Sequence, residues 1–239
     1  MTRKSFAAGL VLTAALVILL GAACEEDRDL EIGDPPCTGA ELAACLEAQA
    51  ELEAISRSSC DGTGRRVCLV PLGQVRPDLV QHLVEHFREE YGLTVIVSTP
   101  SAVPSDMVDP LREQVDAATL MRHMNRLFPD AYADLNATLI GITPVDLYDQ
   151  SSHFRYVFGV KRTSADPKGI ISTFRMDPKA YGEPADDELL FSRARKMFSR
   201  YVGLLYSGLA PSSEPGSLLY DSILGLNDLD NMEEPLPAQ

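Results

Sequence analysis

A long amphipathic stretch near the C-terminal end constrains this chain most. Leu190, Ala194, Met197, Phe198, Tyr201, Val202 and Leu205 recur at three- and four-residue spacing, which gathers them on one face of a helix. Asp186 and Asp187 stand where a helix dipole favours negative charge. The pattern predicts a helix over residues 186–206 with that face in a core, and such a helix needs a second layer to pack on. Upstream, apolar runs alternate with helical patterns. They predict a strand at 66–72, a helix at 77–91, a strand at 93–98, a helix at 111–127 and a strand at 136–142. Strands at 154–162 and 168–175 then follow without a helix between them. Alternation ending in a hairpin predicts an α+β fold, a mixed β-sheet with packed helices. The chain has 239 residues, 45% of them hydrophobic, which suits one globular domain with a short appendage.

The appendage lies at the front. Arg3 and Lys4 precede an apolar run over residues 7–20, and small residues lead to Cys24. This order predicts an export signal over residues 1–23. It resembles a bacterial lipoprotein signal, which implies lipidation of Cys24 and a membrane contact made through that lipid. The apolar run is shorter than the roughly 20 residues that a membrane-spanning helix needs. Residues 24–36 read as an acidic, flexible tether. Glu25 directly after the cysteine resembles lipoproteins released to the outer membrane, so the expected location is the cell envelope. Removing residues 1–23 takes away Arg3 and Lys4 and no acid, so the net charge moves from −14 to −16. That charge argues against nucleic acid as a partner.

Cys37, Cys45, Cys60 and Cys68 are spaced by seven, fourteen and seven residues. In an exported chain an even cluster predicts two disulfides. Three pairings are possible. The nested one, Cys37 with Cys68 and Cys45 with Cys60, is preferred because it staples a helix at 38–56 onto the domain. A zinc knuckle is disfavoured, since no CxxC pair is present. Residues 37–65 are therefore read as a disulfide-stapled helical segment.

Several constellations invite chemistry. His82-Leu83-Val84-Glu85-His86 matches the inverted metallopeptidase pattern HxxEH. The two histidines flank an apolar stripe of Leu79, Val80, Leu83, Val84 and Phe87, so a solvated helix face is the simpler reading. His123 and His153 stand alone. Ser199 lies three residues from Lys196, a spacing open to a Ser–Lys dyad but more ordinary as a polar helix face. Asn136-Ala137-Thr138 matches a glycosylation sequon and is read as chance.

The last helix carries Arg195-Lys196-Met197-Phe198-Ser199-Arg200-Tyr201-Val202-Gly203-Leu204-Leu205-Tyr206-Ser207. A zinc-peptidase helix sets His, Glu and a second His four residues after the first, then a Gly and a third His. The Gly is present here without the ligands. Ahead of it come Val67-Cys68-Leu69-Val70-Pro71-Leu72-Gly73, Leu111-Arg112-Glu113-Gln114-Val115-Asp116-Ala117, Gly141-Ile142-Thr143-Pro144-Val145-Asp146-Leu147-Tyr148, Phe154-Arg155-Tyr156-Val157-Phe158-Gly159 and Ile171-Ser172-Thr173-Phe174-Arg175. In this order, over roughly residues 66–230, the set resembles the archaemetzincin family of zinc peptidases. The resemblance implies a zincin-like fold for a domain over 66–232. With Gly203 as anchor, Lys196 and Arg200 fall at the two helical His ligands, Met197 at the general-base Glu, Tyr206 at the third His and Ser207 at the Cys that follows. The family's second, all-cysteine zinc site has no counterpart, because no Cys follows Cys68. Ser217-Leu218-Leu219-Tyr220-Asp221-Ser222 resembles the family's next segment after a short insertion, with Ser217 at a Cys and Leu219 at a Met.

These departures predict a catalytically inactive, archaemetzincin-like envelope lipoprotein that binds a peptide or a protein. Lys196, Arg200 and Tyr206 are the expected binding residues, with no catalytic residue and no cofactor. Either 154–162 or 169–175 would supply an edge strand for an extended ligand. Two readings compete with this one. The first is a zinc metallopeptidase with a non-standard site such as His82 and His86, in which case zinc is the cofactor. The second is a purely structural envelope protein. Residues 233–239 are expected to be a disordered tail.

Overall fold

The computed structural model describes residues 60–234 and residue 236. The expected signal, the tether, the helix at 38–56, Cys24, Cys37 and Cys45 lie outside the described residues.

The centre of the molecule is a five-stranded sheet in the order β2-β1-β5-β8-β7. Its strands are β1 (Arg66–Pro71), β2 (Val95–Val97), β5 (Ala137–Thr143), β7 (Gly159–Lys161) and β8 (Lys168–Ser172). The first four in spatial order run parallel, and β7 closes one edge antiparallel to β8. β1 and β5 are buried along their whole length. That is why they read as continuous apolar runs and show no alternation. A second sheet holds β3 (Val108–Asp109), β4 (Gln114–Asp116) and β6 (Leu147–Tyr148) in the order β3-β4-β6.

Helices cover both faces of the main sheet. Val67, Leu69, Ile140, Ile142 and Ile171 pack with α1 (Pro77–Tyr91) and α4 (Asp187–Tyr201). Cys68, Val70, Leu72, Leu139 and Ile170 pack on the other side with α2 (Ala117–Leu127) and α3 (Pro129–Ala133). Alternate strand residues thus serve opposite layers, as the pleat requires. A short α5 (Leu226–Asp230) completes the chain's regular elements among the described residues. None of the described helices is long and apolar enough to cross a membrane.

Local chemistry explains where the helices begin and end. α1 carries Pro77 in its first turn and stops at Gly92, which is left-handed with φ 57°. The expected helix at 111–127 begins only at Ala117. Asp116 caps it, accepting from the Thr119 amide at 2.9 Å, and the residues just before it form β4. The expected strand at 154–162 contracts to β7, because Val157 donates instead to the Leu147 carbonyl of the smaller sheet at 2.9 Å. The expected strand at 168–175 ends at Ser172, where the chain turns into a 3₁₀ helix over Phe174–Met176.

Cys60 and Cys68 are buried free thiols. They lie against each other, with Cys68 Sγ 3.9 Å from the Cys60 carbonyl. The neighbouring Cys68 thiol first, and burial second, push the Cys60 thiol well above its ordinary range. The structure thus brings together two cysteines that the nested pairing assigns to different partners. Lys168, fully buried, donates to the carbonyls of Ala137 at 2.8 Å and Asp134 at 3.2 Å. Burial lowers its pKa.

Candidate functional site

The site is built on α4. Asp186 caps the helix through the Leu189 amide at 2.9 Å. Asp187 pairs with Arg76 at the start of α1, with one contact at 2.9 Å. Leu190, Ala194, Met197, Phe198 and Tyr201 are buried in the core beneath the sheet. Three of the four cationic residues of the helix meet two different surroundings. Arg193 forms a bidentate pair with Asp230, both contacts at 2.7 Å. Lys196 donates to the Asp230 carbonyl at 2.7 Å and caps the end of α5. Arg200 donates through Nε to the Tyr220 carbonyl at 2.9 Å.

Beyond Tyr201 the helix widens into a π-helical turn over Val202–Tyr206. Such turns are rare and gather at functional sites. At Gly203, the anchor glycine of the resemblance, the chain does not turn. Gly203 sits inside the helix, where a Cβ would stand 2.6 Å from Leu236 Cδ2 and 2.9 Å from Leu219 Cδ2. The chain leaves the helix at Ser207 and turns at Gly208, which has φ 69°. Tyr206 consequently lies under the Arg65 guanidinium, 4.8 Å from ring centre to Cζ.

A cleft of about 340 Å³ runs between β7 and α4. Met197, Arg200 and Tyr201 form its helical wall, and Gly159 and Lys161 of β7 form the opposite one. Pro211, Asp221, Ile223 and Leu224 close a third side. The structure therefore brings one of the three expected binding residues, Arg200, to the cleft. Lys196 and Tyr206 are held elsewhere by the contacts just described. Only 6% of Arg200 is exposed. Its two terminal nitrogens make no hydrogen bond among the described residues, and neither does the Lys161 ammonium. Burial lowers the pKa of Arg200, against smaller raising influences from Tyr201 and Asp221. Burial also lowers that of Lys161, with Arg200 second, while Asp221 opposes. The Tyr201 phenol is pushed up by burial.

Sequence reasoning missed Lys161 and Tyr201 as cleft residues. A signal existed for Lys161. It lies two residues from Gly159 on an edge strand, so the pleat puts both on the α4 face.

β7 is the edge that the sequence left open between two candidates, since β8 is interior. The Ser172 amide donates to Phe158 O and the Arg162 amide to Lys168 O, both at 2.8 Å. In an antiparallel pair this alternation aims the N–H and C=O of Gly159 and Lys161 at the free edge.

The other constellations resolve differently. His82 and His86 face α4, where Arg195 Nη1 is 3.1 Å from His82 Nε2, so a cation occupies the approach a metal would need. Glu85 points away and accepts from Gln81 at 2.9 Å. The Ser199 hydroxyl is buried without a partner, and Lys196 is turned to α5, so no Ser–Lys dyad forms. Among the described residues no three His, Cys, Asp or Glu side chains are grouped so as to hold a metal ion. The helix offers an ammonium, a thioether, a guanidinium and a phenol at the motif positions. Two fixed cations repel a divalent ion, so this donor set does not fit zinc.

The comparisons with known proteins agree on one family. The archaemetzincin of Pyrococcus furiosus is 30% identical over 162 residues, which is 65% of this chain and 80% of the relative. That of Thermococcus kodakarensis is 26% identical over 178 residues, covering 72% and 90%. Among solved structures, a zinc-dependent peptidase from Methanocorpusculum labreanum superposes with TM-score 0.57 at 24% identity, over 72% of this chain and 95% of that one. An archaemetzincin from Archaeoglobus fulgidus complexed with malonate gives 0.55 at 21% identity, over 70% and 92%. No protein-family model matches the chain. The structural likenesses establish the zincin-like fold. With the sequence similarity to the Pyrococcus protein across four-fifths of its length, they show that this chain belongs to the archaemetzincin family.

Proposed function

We propose that this archaemetzincin-family chain is a non-catalytic peptide-binding module, anchored at the cell envelope by lipid on Cys24. One observation carries the reading. Where the family resemblance puts a zinc ligand, Arg200 is a nearly buried guanidinium whose terminal nitrogens are unpaired and which lines the cleft under an open edge strand. The solved relative from Methanocorpusculum labreanum is a zinc-dependent peptidase. This chain retains that fold, but its cleft carries a cation that can hydrogen-bond an anionic or carbonyl-bearing ligand. An extended peptide pairs with a strand edge through its backbone and needs no metal for that contact. The apolar run before Cys24 supports export and lipidation.

The test uses mature protein purified from membranes and a mixed peptide library with both free-acid and amidated ends. The expected result is peptide capture, no cleavage and no stoichiometric zinc. About one tightly held zinc per chain, together with cleavage, overturns the reading. Replacing Cys24 with Ser is expected to move the protein into the soluble fraction. Retention of C24S in the membrane would mean that the apolar run anchors the chain without lipid.

A further inference from the structure

The cleft does more than offer a strand edge. β7 exposes only the backbone groups of Gly159 and Lys161, so an added strand is paired over a few residues and stops. Beside that edge, Lys161 and Arg200 line the cleft. Lys161 and Arg200 form no ion pair within 4.0 Å among the described residues. Asp149 and Asp221 line the same cleft, and Asp221 favours the charged form of both cations without forming a salt bridge to either. Asp221 accepts from Ser222 Oγ at 2.9 Å, and Asp149 accepts from the Ser151 amide and hydroxyl at 2.9 and 2.7 Å. The whole chain carries −14, yet among the described residues this cleft presents free hydrogen-bond donors on Lys161 and Arg200. A buried guanidinium with spare donors gains when an anion arrives.

Around these cations the walls are mixed, with apolar residues on part of them. Phe154 and Leu224 line the cleft and are 57% and 68% exposed. Tyr156, Phe158 and Ile223 lie beside them. These side chains put apolar surface at the mouth of the cleft, next to the two cations. The occupant must therefore present a carboxylate and an apolar group within a few ångströms of each other, on an extended backbone. The last residue of a peptide does this from a single Cα, which bears both the free carboxylate and an apolar side chain. An internal Asp or Glu has its immediate neighbours on the opposite face, and its same-face neighbours stand about 7 Å away along the strand.

Resting on the peptide-binding reading above, we propose that the cleft captures the free C-terminus of an extended peptide whose last side chain is apolar. Lys161 and Arg200 hold the carboxylate, the Gly159 and Lys161 backbone pairs with the penultimate residues, and Phe154 and Leu224 enclose the side chain.

The test measures fluorescence anisotropy of three labelled peptides on the mature protein. They are Gly-Ser-Thr-Val-Leu as the free acid, the same peptide amidated, and an amidated Gly-Ser-Glu-Val-Leu. The expected result is that the free acid binds at least about tenfold more tightly than its amide, the size of one charge-assisted contact. Arg200→Met is expected to abolish that preference. Lys161→Gln alters a partly buried side chain that forms no salt bridge among the described residues, and is expected to reduce the preference severalfold. Equal binding of acid and amide overturns the proposal, as does equal binding of the internal-Glu amide. In either case the peptide-binding reading survives. Failure of all three peptides, and of the whole library, on protein with an intact circular dichroism spectrum overturns both.

Discussion

Gly159 couples the sheet edge to the helix beneath it. A Cβ there would stand 2.4 Å from the Ile170 carbonyl and 2.6 Å from the Tyr201 hydroxyl. Backbone cannot give way cheaply, so either β7 lifts or Tyr201 leaves a site where it is 1% exposed. Gly159→Ala is expected to destabilise the fold by about 1–3 kcal/mol, the usual cost of overpacking, and to weaken peptide capture. Urea unfolding measures the first effect and anisotropy the second. An unchanged midpoint would show that the edge is looser than this contact implies. Arg200 was legible in the sequence as a cation at a ligand position. Its burial and its Tyr220 carbonyl partner were not, because they depend on a segment twenty residues further along the chain.

The α4–α5 contact shows how an element is held. α5 has five residues and could not persist as a helix alone. Arg193 grips the Asp230 carboxylate and also the Met176 carbonyl at 2.9 Å, while Lys196 takes the Asp230 carbonyl. Lys196→Met keeps the stem and removes the ammonium. It is expected to cost about 1.5–3 kcal/mol, the value of a charged hydrogen bond, and to speed amide exchange across 226–231 with peptide affinity unchanged. A loss of peptide affinity equal to that of Arg200→Met would place Lys196 in the cleft and overturn the assignment. Long elements with a full apolar period were legible. The helix predicted at 77–91 has the bounds of α1, and the one at 186–206 is α4 plus its π turn. The smaller sheet was not, because strands of two or three residues carry no period. Nor was the false start at 111. Residues 111–116 hold a helical pattern of charges, but Glu113 takes φ 56° and the real helix waits for the Asp116 cap. The π turn has no sequence mark apart from Gly203, whose small size the crowding by Leu219 and Leu236 demands.

At the scale of the molecule, the C-terminal segment straps α1 to α4, and the stability it lends is expected to depend on pH. Arg195 holds Glu234 with a contact of 2.8 Å, the Leu236 amide donates to the Tyr91 hydroxyl at 3.0 Å, and His86 lies 3.9 Å from Glu234. His86 Nε2 is buried without a hydrogen-bond partner. Burial lowers the pKa of both His82 and His86 from the ordinary value of 6.5. For His82, Arg195 adds to the lowering while Glu85 and Glu234 oppose it. For His86, Arg195 and His82 add to it while Glu234 and Glu90 oppose. The folded state therefore prefers both rings neutral, and the unfolded chain binds protons first. Stability from this pair is fully present above pH 6.5 and is lost as pH falls through the lowered folded values. The carboxylates of Asp78 and Asp187, both lowered chiefly by Arg76, act in a separate window. Their contribution is lost only as pH falls below 3.8 and through their folded values. Urea midpoints between pH 7.5 and 5 are expected to decline for the wild type and to flatten in the double variant His82→Gln, His86→Gln. A midpoint that rises on acidification in this range would mean that Glu234 outweighs burial and that the strap tightens as the histidines charge.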